Sequence, residues 1–198
     1  MDAFRTLATE ASAELEAKGS RFLAIAVPVT DRAAAERFVG LQGRAHRNPT
    51  HVVPAWRLHH GTAYSSDAGE PAGSAGAPML AAIDGAGLHD VAAVVVRWYG
   101  GVNLGVGGLV RAYGGVLAEA LARAQTVERV RTVALEVRYR HELTSAVVRT
   151  IHAHDGRRLT YEYGDRVTCR FALPASRRAA FDTALRDATR GTAEATVR

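Results

Sequence analysis

One cysteine, Cys169, and one lysine, Lys18, stand among the 198 residues. A single thiol excludes an intramolecular disulfide framework and a zinc site built on cysteines. A single lysine at position 18 excludes a G-x-x-x-x-G-K phosphate loop. Gly100 and Gly105 have the spacing, but Val106 follows where lysine is required. No apolar run is long enough to span a bilayer. The opening stretch, MDAFRTLATEASAELE, carries acids and no apolar core. A secretory leader is therefore not expected there, and a cytoplasmic location is the simplest expectation.

Arginine and glycine are what the chain has in quantity. Lys and Arg total 25 against 20 Asp and Glu, for a net charge of +5 and a pI of about 9.9. That balance permits a nucleic-acid or ribosomal partner without demanding one. A preference for Arg and Ala codons would produce the same excess. Hydrophobic residues make up 47% and charged residues 23%, as in an ordinary globular chain of one large domain or two small ones.

The glycines cluster. An apolar run from Val91 to Val96 enters RWYGGVNLGVGGLVRAY, Arg97 to Tyr113, and a helical pattern from Leu109 to Ala124 leaves it. Between them lie Gly100, Gly101, Gly105, Gly107 and Gly108. A strand, a Gly-rich turn and a helix N-terminus together make a candidate anion site, because unpaired N–H groups and the helix dipole both favour negative charge. Arg97 and Arg111 bracket the turn and are candidates for bidentate phosphate or carboxylate contacts. The plain alternative is that these glycines serve a turn and close packing. A dinucleotide fingerprint is excluded, since Gly105 and Gly107 fit G-x-G-x-x-G but Val110 takes the sixth position.

A second stretch, Ser65 to Pro78, is too rich in Gly, Pro and Ser for a helix or strand interior. It carries Asp67 and Glu70, conditional acid/base candidates. Binding to backbone amides or to a nearby arginine is the favoured role for both, including a salt bridge to Arg97 or Arg111. Two carboxylates alone make a poor metal site, and His152, His154 and Asp155 sit where a helix should end, so neither metal nor cofactor is expected. Ala72 to Gly76 falls one residue short of a G-x-S-x-G nucleophile elbow.

Periodicity predicts two strands over Thr9 to Val29, turning at Gly19-Ser20. A helix capped by Thr30 or Asp31 follows, with Ala34, Phe38, Val39 and Leu41 on its apolar face. A strand over Thr50 to Leu58 contains Pro54, which suggests an edge or bulge. A helix from about Pro78 to Ala86, a buried strand Val91 to Trp98 and a helix from about Leu104 to Ala124 complete an α/β unit with helices on a mixed sheet. The boundary falls near Gln125 to Arg129, giving expected domains of 1–127 and 128–198. The remainder reads β-α-β-β-α-β: Val130 to Tyr139, Glu142 to His154, a hairpin of Gly156 to Tyr163 with Val167 to Leu173, Pro174 to Thr189, and Ala193 to Val197. That order is the ferredoxin-like split βαβ.

The two Gly-rich stretches resemble the signatures of the IMPACT/YigZ family. Ser66 to Pro78 is similar to S-D-x-G-E-P-x-G-[ST]-A-G-x-P, and Arg97 to Tyr113 to R-[YW]-[FY]-G-G-x-x-L-G-x-G-G-L-x-R-A-Y. Gly19-Ser20-Arg21-Phe22, and Thr50-His51 with Ala55-Trp56, resemble two weaker family stretches. Val53 stands where the family often has cysteine, and Ala68 replaces a frequent second acid. The resemblance implies an α+β chain. A two-layer domain like the second domain of a small-subunit ribosomal protein would precede a ferredoxin-like domain, the pair being similar to the last two domains of elongation factor G. It also implies a link to translation, since the eukaryotic relatives regulate the starvation-kinase pathway.

Three functions follow as expectations. The favoured one is a non-catalytic RNA- or ribosome-associated translation regulator using Arg97, Arg111, the glycines and Tyr113, with Trp98 and Tyr99 available for stacking. The second is an enzyme acting on a small anionic substrate between the two Gly-rich loops, with Asp67 or Glu70 as base. The third is a protein–protein module. No membrane partner is expected.

Overall fold

The computed structural model describes residues 2–198 and divides them into two compact units, Phe4–Arg129 and Val130–Arg198 with Asp2 and Ala3. Alternation along β3 (Ser20–Pro28) and β6 (Val91–Trp98) sets the first. Phe22, Ala24, Ala26, Val91, Ala93 and Val95 are buried on one face, and Ile25, Ala92, Val94 and Val96 on the other. A strand apolar on both sides must lie between two covered faces, and β6 is the central strand. The sheet runs β2-β3-β6-β4-β5, with β2 at Ala11–Ala17, β4 at His51–Arg57 and β5 at Ala63–Ser65. Every pairing is antiparallel.

Helices α2 (Gly76–Gly85) and α3 (Val106–Arg123) cover the first face through Met79, Ile83, Leu109, Tyr113 and Leu117. Helix α1 (Arg32–Ala45) covers the second through Ala35, Phe38 and Val39. The unit therefore has helices on both faces of an antiparallel sheet, where a mixed sheet in two layers was expected. The odd-numbered and even-numbered residues of β6 both demand a cover, and α1 supplies the second one. Asp31 caps α1, its carboxylate accepting from the Ala34 N–H at 2.7 Å. Leu41, expected on the apolar face, is 58% exposed.

Two details differ from the sequence reading. Pro54 sits in an interior strand. The β5 ladder begins at Ala55↔Ser65, so Pro54 lies just beyond it and contributes only its carbonyl, to the Ser66 N–H at 3.2 Å. A short strand β1 (Ala3–Leu7) pairs with β7 (Thr126–Val130) in a separate two-stranded ribbon. Its partner lies over a hundred residues away, and its five residues AFRTL carry no clean alternation.

The second unit is β8 (Thr132–Tyr139), α4 (Thr144–Ala153), β9 (Arg157–Tyr163), β10 (Val167–Pro174), α5 (Arg178–Thr189) and β11 (Ala195–Val197). Its antiparallel sheet has the order β11-β8-β10-β9. Val147 and Ile151 of α4 and Phe181 and Leu185 of α5 pack on Leu135, Val137, Cys169 and Phe171. The α+β class and the ferredoxin-like order expected from the sequence are both present.

One backbone contact in the first unit has a steric consequence. The β2–β3 turn places Gly19 (φ 77°) so close to Gly100 that a Cβ at Gly100 would lie 1.9 Å from the Gly19 carbonyl carbon. Gly115, in α3, has nothing within 4 Å of its Cβ position. Alanine substitutions at the two should therefore act with opposite sign in urea unfolding. Gly100→Ala should cost about 3 kcal/mol or more, and Gly115→Ala should gain up to about 1 kcal/mol.

Candidate functional site

Phe22, Arg97 and His51 occupy one row across β3, β6 and β4, through the register pairs Phe22↔Arg97 and His51↔Arg97. Arg97 shares the parity of Val95 and Ala93, so its side chain enters the face that α2 and α3 cover. It is 5% exposed. Glu70, from the loop before α2, meets it there, with Arg97 Nη1 donating to Glu70 Oε1 at 2.6 Å. Tyr113, two turns into α3 and wholly buried, donates its hydroxyl to the same oxygen at 2.6 Å. His51 Nε2 lies 3.9 Å from that oxygen. Its Nδ1 is 2.9 Å from the Ala68 carbonyl, which can only accept, so Nδ1 carries the proton. Burial, and then the bond to Glu70, push the Tyr113 phenol well above its usual range and keep it a neutral donor.

The guanidinium is enclosed further. Its Cζ lies 5.4 Å from the ring centroids of both Phe22 and Tyr99. Arg97 Nη2 donates to Ser20 Oγ at 3.4 Å, and Ser20 Oγ also accepts from the Gly100 N–H at 3.2 Å. Arg97 Nε is buried and finds no hydrogen-bond partner among the described residues. All four sequence stretches that resembled a family signature thus meet at one buried ion pair.

Asp67 closes the first Gly-rich loop. Its carboxylate accepts from the N–H groups of Gly73 (2.8 Å), Ala75 (3.0 Å) and Gly76 (2.9 Å), which seals the N-terminus of α2. The Gly73 bond, supported by Gly76 and Ala75, holds the Asp67 carboxyl below its ordinary range against the opposing effect of burial.

This geometry corrects part of the sequence reading. Arg97 and Tyr113 are buried around Glu70 and present nothing to a nucleic acid. Glu70 and Asp67 are both engaged by fixed donors, so neither stands as a free base. The glycines divide by role. Gly100 permits the approach of Gly19, while Gly105 (φ 72°) caps α3 without a side-chain bond. Gly101 also has positive φ, and Gly108 lies against Leu104.

Arg111 remains at the surface, and Lys18, not singled out as a ligand from sequence, joins it. The two line a shallow groove of about 260 Å³ with Leu15, Ala17, Leu104, Gly108 and Ala112, and no acid lines it. His51 and Ser20 were visible in sequence only as members of the weaker stretches. Among the described residues no three His, Cys, Asp or Glu side chains gather as a metal ion would require. Cys169 is buried in the second unit, its thiol pushed up to about 11 by desolvation.

Glu70→Gln leaves Arg97 buried without a counter-charge and should cost about 3–5 kcal/mol. Adding Arg97→Met should cost much less than the sum of the single changes, a coupling that a double-mutant cycle in urea measures. Asp67→Asn should cost about 1–2 kcal/mol at neutral pH. A lowered folded-state pKa gives stability that is complete above the unfolded value and is lost as pH falls through the folded one. The gap between wild type and Asp67→Asn should therefore hold constant above about pH 5 and narrow below about pH 4, as unfolding curves at several pH values will show.

Known proteins share both units. Residues 18–121 match the Impact N-terminal domain, and residues 138–192 match a domain of unknown function, DUF1949. The chain is 35% identical over 181 residues to the IMPACT family member YigZ of Escherichia coli, covering 89% of this chain and 88% of that protein. It is 53% identical over 108 residues to an IMPACT family member of Thermus thermophilus, covering 53% of this chain and 56% of that one. A crystal structure of a hypothetical protein, 33% identical, superposes with a TM-score of 0.73 over 100% of this chain and 98% of the other. With its two domain matches in order and a relative aligned along most of both lengths, the chain belongs to the IMPACT family.

Proposed function

We propose that the protein is a cytoplasmic, non-catalytic translation regulator that associates with RNA or with the ribosome, and that the Lys18–Arg111 groove is its phosphate-contacting surface. The observation that carries this reading is the groove itself. Two exposed cations, with no acid among the residues that line it, border a concave surface beside the N-terminal turn of α3, which has no side-chain cap. Such a surface favours phosphate oxygens through charge and through the unpaired N–H groups of the helix end. The resemblance to eukaryotic proteins that regulate translation supports the same reading. The two carboxylates on which an enzyme reading would rely are both held by fixed donors, which favours binding over catalysis.

Fluorescence anisotropy with a short single-stranded RNA, across a salt series, tests it. Affinity should fall log-linearly with salt. The double substitution Lys18→Ala with Arg111→Ala should make the slope shallower by about 1.4, or about 0.7 for each phosphate no longer neutralised. Absence of binding at low salt, or an unchanged slope, overturns the reading.

A further inference from the structure

Tyr99 is an exposed aromatic ring that the fold holds in place from three directions. It is 44% exposed. Its backbone N–H donates to Thr50 Oγ1 at 2.9 Å, and its hydroxyl donates to Asn103 Oδ1 at 3.1 Å. One ring face is turned to the Arg97 guanidinium, 5.4 Å away, which Glu70 fixes in turn. With Arg97 on one side, the face left for a partner to stack on is the opposite one.

The two other aromatics of the Gly-rich stretch are committed. Tyr113 is wholly buried. Trp98 donates Nε1–H to the Arg47 carbonyl at 3.0 Å and carries the Arg21 guanidinium 4.7 Å over its ring, with His46 at its edge. Of the three, Tyr99 is the exposed one.

Its position ties it to the groove. Tyr99 precedes Gly100, Lys18 precedes Gly19, and the two glycines touch through their backbones. Two Cα steps and that contact put the Cα atoms of Tyr99 and Lys18 no more than about 13 Å apart.

We propose that this surface takes single-stranded RNA, with one unpaired base stacked on Tyr99 and adjacent phosphates on Lys18 and Arg111. The inference rests on the groove reading above and adds the class of RNA. A fixed ring loses little conformational freedom on binding, and every base presents a π-face to it. A duplex keeps its bases stacked on one another and cannot use the ring.

The same anisotropy assay separates the two claims, because stacking changes affinity at every salt concentration and charge changes the slope. Tyr99→Ala should weaken binding of a single-stranded 12-mer by about 10-fold with no change of slope. Tyr99→Phe should stay within about twofold of wild type, and binding of a duplex of equal length should not depend on position 99. If Tyr99→Ala binds single-stranded RNA like wild type while Lys18→Ala with Arg111→Ala still flattens the slope, the stacking proposal falls and the groove reading stands. If Tyr99→Ala weakens binding and the double change leaves the slope intact, the groove reading falls, and the proposal falls with it because its phosphates sit on Lys18 and Arg111. Equal loss on duplex and single strand overturns the proposal, and absence of RNA binding by wild type overturns both.

Discussion

A buried ion pair, Glu70 with Arg97, is what the first unit is arranged around. Its two charges are 9% and 5% exposed, a placement that is costly unless each finds its partner in good geometry. Satisfying them requires the loop before α2, the end of β6, the second turn of α3 and the β2–β3 turn to be in place together. The pair says less about how stable the unit is than about which arrangement of its loops is allowed. Removing the charges as a pair and removing one of them are physically different experiments.

The two Gly-rich loops, similar in composition, do different work. The first is drawn together by Asp67, which accepts from the Ala75 and Gly76 N–H groups at the start of α2. The second ends on an uncapped helix, and its exposed residues include Tyr99, Val102 and Val106. Asp67 thus meets the N-terminal amides of α2, while α3 begins at Gly105 without a side-chain cap. Arg97, one of the two arginines expected from sequence to contact an anion, is instead buried, with its guanidinium against the ring of Tyr99.

Legibility followed range. The β3, β6 and α3 segments were readable because their periodicity is local and strong, and the C-terminal order followed from the spacing of its elements. β1 was not, because its pairing with β7 is fixed by contacts distant in sequence. The second helical layer was present in the even-numbered residues of β6 but needs the three-dimensional sheet to be seen as a face. At the candidate site, composition pointed to the two loops that meet at the Glu70–Arg97 pair, but not to the burial of Arg97. Arg97 and Arg111 look alike in sequence, and only the parity of β6 sends the first inward. Lys18 was conspicuous as the sole lysine, yet nothing local links a β-turn residue to a helix eighty-eight positions later.

The contact between Gly19 and Gly100 sets a ceiling on a length. The Cα atoms of the residues beside those glycines, Lys18 and Tyr99, are linked through main-chain atoms, so exchanging either of those two side chains leaves the limit on their separation in place. Substitution can change what each position contacts, in charge or in shape. Relaxing that limit would take an insertion or deletion in one of the loops, or a side chain at Gly100, at the expense of the backbone contact itself.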